Sequence, residues 1–65
     1  MNKIYSVEVL EQYDSSLNNK EYLPRDVITC EFESDTGDMF GLVEEIETKD
    51  IIPYDIVKII EEVHK

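Results

Sequence analysis

The sequence predicts an α+β domain: a small antiparallel three-stranded sheet, in the order β-β-β-α, with one C-terminal amphipathic helix packed on one face. Three observations lead there. Apolar residues alternate along three stretches, about 4–13, 27–34 and 39–48, as half-buried strands do. The turn-forming pentad Ser34-Asp35-Thr36-Gly37-Asp38 separates the last two. From Pro53 onward the apolar period changes to that of a helix over about 53–64.

In the first stretch Tyr5, Val7 and Val9 fall on one face and Ser6 and Glu8 on the other. Residues 14–26 follow as a polar, turn-rich loop in which Pro24 ends regular structure. Leu17, Tyr22 and Leu23 within it either fold back on the core or stay out for a partner. Read as a three-residue turn with Gly37 left-handed, Asp35-Thr36-Gly37 sets a hairpin register. Phe32 then faces Phe40, Cys30 faces Leu42, Ile28 faces Glu44, and Ile46 joins the apolar side. The outer face carries Val27, Thr29, Glu31 and Glu33 against Met39, Gly41, Val43, Glu45 and Glu47.

Ile51 and Ile52 read as a short extended continuation or a plug beneath the connection. In the predicted helix, Pro53 suits the first turn and Asp55 the positive end of the dipole. Ile56, Ile59, Ile60 and Val63 form its apolar stripe, opposite Asp55, Lys58, Glu61, Glu62 and Lys65. His64 and Lys65 complement its negative end. The expected core is Tyr5, Val7, Val9, Ile28, Cys30, Phe32, Phe40, Leu42, Ile46, Ile56, Ile59, Ile60 and Val63.

Sixty-five residues make one domain, 1–65, that buries only about 60% of the surface of its unfolded chain. Cys30 is the sole cysteine, so no internal disulfide forms, and it reads as a small buried thiol. A chain with one cysteine, one histidine and no long apolar run is expected to be cytoplasmic, without a signal peptide or membrane span. Sixteen acidic residues against six basic ones give a formal charge of −10. That charge repels nucleic acid and anionic lipid and attracts basic protein surfaces.

Catalytic readings fail in turn, and the chain is not expected to be an enzyme. His64 is the only histidine and stands one residue from the chain's end, a poor mount for a general base. Gly37 and Gly41 each have a turn or strand explanation, so no phosphate loop exists. One cysteine and one histidine cannot build a zinc site, and the 33–38 segment lacks the distal glutamate of a calcium loop. No catalytic residue, metal or cofactor is therefore expected. Glu44 alone breaks the pattern on the core face: it either reaches water or Lys58, or is a buried acid awaiting a partner's cation.

The expected activity is binding. Glu31, Glu33, Glu45 and Glu47 on the sheet, with Asp55, Glu61 and Glu62 on the helix, turn carboxylates outward. Phosphates along one DNA strand are spaced about two strand residues apart, so such a row imitates them. In size and charge alone the chain resembles small acidic inhibitors of the phage or plasmid type. The partner expected on this reading is a protein with a basic surface, such as a nucleic-acid-binding enzyme. The alternative is an assembly module that joins a protein partner or itself as a homodimer. Its contact would be an apolar sheet face or edge around Val27, Met39 and Val43, or the loop residues Leu17, Tyr22 and Leu23.

Overall fold

β-Branched and aromatic residues favour strands, and the structure, a computed structural model that describes residues 2–15 and 17–63, is mostly β. Among the described residues seven strands follow one another: β1 (Lys3–Val9), β2 (Tyr13–Asp14), β3 (Glu21–Tyr22), β4 (Val27–Phe32), β5 (Leu42–Glu45), β6 (Ile51–Pro53) and β7 (Val57–Glu62). A single 3-10 turn, Tyr54–Ile56, joins the last two. Five strands form one antiparallel sheet in the order β6-β5-β4-β1-β7, and β2 pairs with β3 as a separate hairpin.

That order forces the sheet to roll. β6 and β7 are its opposite edges, yet only Tyr54–Ile56 lies between them. Laid flat, the four gaps between five strands would separate the edges by roughly 19 Å. The link from Pro53 to Val57 spans at most about 14 Å when extended, and less in a 3-10 turn. The sheet therefore curls into a partly open barrel, with a round cross-section of 21 × 20 Å. A bulge on β7 assists the curl: Glu61 pairs with Ser6 and Ile59 with Val7, leaving Ile60 without a partner.

Val7, Val9, Cys30, Phe32, Val43, Ile52 and Val57 fill the interior. Tyr22 closes it from the β2–β3 hairpin, and Tyr5, Ile28, Ile56 and Ile59 pack around it. Tyr5 and Tyr54 meet Phe32 edge-on at 4.9 and 5.9 Å between ring centres. Burial, then the charge of Glu45, push the Cys30 thiol up to about 12, as suits a structural cysteine.

Three expectations are corrected. The three-stranded α+β plan gives way because, among the described residues, no helix packs on the sheet: residues 57–62 are β7, paired with β1. The segment Ile56-Val57-Lys58-Ile59-Ile60 is β-branched at four of five positions, which weakens a helix and suits a strand. A lone three-turn helix is marginal in water, whereas β1 offers a row of unpaired backbone groups. Ile60, expected in the core, is half exposed, while His64 and Lys65 lie outside the described residues.

The hairpin register is also different. Ser34 and Gly37 do close a tight turn, with Gly37 at φ +92°. A Cβ there would meet the Leu42 carbonyl oxygen at 2.6 Å, so only glycine fits. The chain then makes a second turn over Asp38–Gly41, so the β4–β5 connection runs from 33 to 41. Cys30 consequently faces Glu45 and Glu31 faces Glu44, three residues from the expected pairing. An odd slip exchanges the faces: Val43 and Glu45 turn inward, while Phe40, expected in the core, is exposed.

The third correction concerns 14–26, which holds the β2–β3 hairpin rather than being all loop. Ile51 and Ile52 are extended, as one of the two expected forms, with Ile52 buried. Among the described residues no helix is long and apolar enough to cross a membrane.

Candidate interaction surface

Two groups of carboxylates form, and they differ in every respect. The first is buried. Asp50 follows the four-residue turn between β5 and β6, closed by the Glu45 N–H on the Asp50 carbonyl at 2.9 Å. Tyr22 donates its hydroxyl to Asp50 Oδ2 at 2.6 Å, and Asn18 Nδ2 donates to Oδ1 at 2.6 Å. Ser15 Oγ also donates to Oδ1, and Thr48 Oγ1 stands 3.0 Å from Oδ2. Burial drives the Asp50 carboxyl upward, but the hydrogen bonds from Ser15, Tyr22, Asn18 and Thr48 outweigh it and hold it at about 2. Burial and then the bond to Asp50 raise the Tyr22 phenol well above its ordinary value.

Glu45 completes this cluster. Its Oε2 accepts the Glu47 N–H at 2.7 Å, and its Oε1 lies 3.0 Å from Thr48 Oγ1 and 3.7 Å from Lys20 Nζ. Lys20 also sits 4.9 Å above the Tyr22 ring. Perturbed, buried titratable groups often mark active sites. Here each carboxylate oxygen already has a donor from the protein, and among the described residues no buried side-chain polar atom is left unpartnered. The cluster fastens the β2–β3 hairpin to the β5–β6 turn, which is structural work.

The second group lies on the outer face, with Glu33 exposed and Glu31, Glu44 and Asp38 half-buried. Glu31 and Glu44 stand directly opposite on the outer face of β4 and β5, with Ile4 and Ile51 as their other neighbours across the sheet. Like charges so placed repel. Together with Glu33 and Asp38 they line a hollow of about 170 Å³, below the roughly 300 Å³ of small-molecule sites. Asn2 Nδ2 donates to Glu31 Oε2 at 3.3 Å. Lys3 borders the next hollow with Glu33 and Asp35, but the ion pair found among the described residues is Lys20 with Glu45. Among the described residues no group of three or more potential ligands is placed to hold a metal ion.

The expected binding residues scatter accordingly. Glu31 and Glu33 stay together on the outside, and Met39 is 86% exposed. Glu47 is exposed in the β5–β6 turn, and Glu61 and Glu62 are exposed on β7. Tyr22, Val43 and Glu45 are buried, so the expected row of four glutamates does not form and Glu44 takes the outer place given to Glu45. Glu44 does not meet Lys58, which pairs across from Glu8 at the other side of the sheet. Asp38 went unnoticed as a site residue, although an aspartate four residues after Ser34 and three before Gly41 is a turn signal. The chain matches no family model, no curated protein and no solved structure.

Proposed function

We propose that this protein is a small docking module that inhibits or regulates a protein target by covering a basic, nucleic-acid-binding surface with its outer carboxylates. The observation that carries the reading is the opposed Glu31–Glu44 pair, flanked by Glu33 and Asp38 and given no ion pair among the described residues. Holding like charges together costs stability, and a cationic partner surface relieves that cost on binding. Binding, rather than catalysis, also fits a carboxylate-lined hollow this small and buried titratable groups already consumed by the fold.

The alternative, an assembly module joined through an apolar face or edge, loses Val43 and Tyr22 as contacts because both are buried. The β7 edge is blunted by its bulge and by Lys58, Glu61 and Glu62. Met39, Val27, Leu17 and Leu23 remain exposed for it.

The test compares the wild-type protein with the triple variant Glu31→Gln, Glu33→Gln, Glu44→Gln, each immobilised and offered a lysate of the source cells. Docking predicts a bound protein that is released by salt and by added DNA and that the triple variant does not retain. Retention by the triple variant, undiminished at high salt, would refute it.

A further inference from the structure

Met39 and Phe40 stand side by side at the two central positions of the Asp38–Gly41 turn, 86% and 76% exposed. Large adjacent apolar side chains held this far into water are unusual for a chain that has an apolar interior to offer. The backbone keeps them there. Gly41 N–H donates to the Asp38 carbonyl at 3.0 Å, and Asp38 N–H to the Leu42 carbonyl at 2.9 Å. Asp38 Oδ1 accepts the Phe40 N–H at 2.8 Å and the Leu42 N–H at 3.0 Å. Tyr54 N–H donates to the Gly41 carbonyl at 2.8 Å, tying the turn to the barrel. A displayed pair so fixed loses little backbone freedom when it binds, and phenylalanine and methionine are enriched in interface cores.

The surroundings select the occupant. Glu33 and Asp38 line both the groove beside Met39 and the hollow that holds Glu31 and Glu44, so the apolar tip has a rim of carboxylates. A second copy would bring the same rim and the same charge of −10 against it. An anionic membrane surface is repelled in the same way. A protein pocket that is apolar inside and edged by lysine or arginine satisfies both the tip and its rim.

We propose that Met39 and Phe40 are the apolar anchor of the interface, entering such a basic-rimmed pocket on the partner protein; the proposal rests on the docking reading above and supplies its central contact. The probe is a helical-hairpin peptide whose two helices enclose a leucine-lined groove edged by arginines, titrated into the labelled protein at low salt and followed by amide chemical shifts. Shifts centred on Asp38–Gly41 are expected, with Phe40→Ser weakening the peptide by about 30-fold, the size of a central anchor. Phe40→Ser should melt close to the wild type, since the residue is already 76% exposed. Shifts confined to Glu31, Glu33 and Glu44, with affinity unchanged in Phe40→Ser, overturn the anchor and leave docking through carboxylates standing. A peptide that does not bind at low salt overturns both. Self-association of the protein alone, lost in Phe40→Ser, overturns the anchor in favour of a second copy.

Discussion

The cluster around Asp50 and the outer group around Glu31 and Glu44 are built from the same side chains put to opposite uses. In the first, two buried carboxylates collect donors from two turns and the β3 strand, and the fold depends on them. In the second, carboxylates face one another across two strands, and no ion pair among the described residues neutralises them. Neutralising a carboxylate should therefore cost stability on the inner side of the sheet and add it on the outer face. Sign, rather than size alone, separates an acid that holds the protein together from one kept for a partner.

The largest effect belongs to Asp50. Asp50→Asn removes the charge on which Ser15, Asn18, Tyr22 and Thr48 converge and inserts an amide donor among donors. We expect it to lower the melting temperature more than any other single change considered below. A melting temperature equal to the wild type would show that the cluster holds nothing. The same carboxyl fixes a pH window. Held at about 2, it lies below the ordinary aspartate value of about 3.8. A depressed acid stabilises above its unfolded pKa and loses that contribution as pH falls toward the folded one. Wild-type stability should thus contain a loss between about pH 4 and pH 2 that chemical denaturation detects and that Asp50→Asn lacks.

Tyr22→Phe comes next, because it keeps the ring in the core and removes one donor from Asp50. Leaving a buried acceptor short of a partner costs about 1–3 kcal/mol. In a domain of this size each kcal/mol corresponds to about 4–8 °C in melting temperature. Loss of the cation–π contact with Lys20 should be slight, since phenylalanine retains the ring face. If the two proteins melt together, the hydroxyl is ornamental and Ser15, Asn18 and Thr48 hold Asp50 without it.

Half of this division could be read along the chain. The alternation Tyr5, Val7, Val9 and Ile28, Cys30, Phe32 placed β1 and β4 with the correct faces inward, and the turn at Ser34–Gly37 stands where its residues put it. The run Leu42-Val43-Glu44-Glu45-Ile46 was ambiguous by construction, because either face gives two apolar residues or one beside a glutamate. Only the second turn at Asp38–Gly41 decides between them, and it decided against the more apolar face. Ile56, Ile59, Ile60 and Val63 fit a helix, while Val57 and Ile59 with Lys58 between them fit a strand equally well. The open edge of β1 settled that choice, and it is a tertiary fact. The Asp50 cluster draws on residues 15, 18, 22, 45, 48 and 50, so no local spacing announces it.

Glu44→Gln is the smallest effect and the sharpest test of the division. The side chain is on the outer face, glutamine keeps its shape, and the change removes one member of the opposed pair with Glu31. Relieving like charges directly across a sheet should stabilise by about 0.2–1 kcal/mol. The gain should shrink as salt is added, because exposed charges are screened over about 10 Å at 0.1 M. A raised melting temperature at low salt that converges with the wild type at high salt would place Glu44 among the carboxylates the fold tolerates rather than uses. A lowered one would mean that its charge has a partner within the molecule, and Glu44 would then belong with Asp50, as an acid that the fold itself requires.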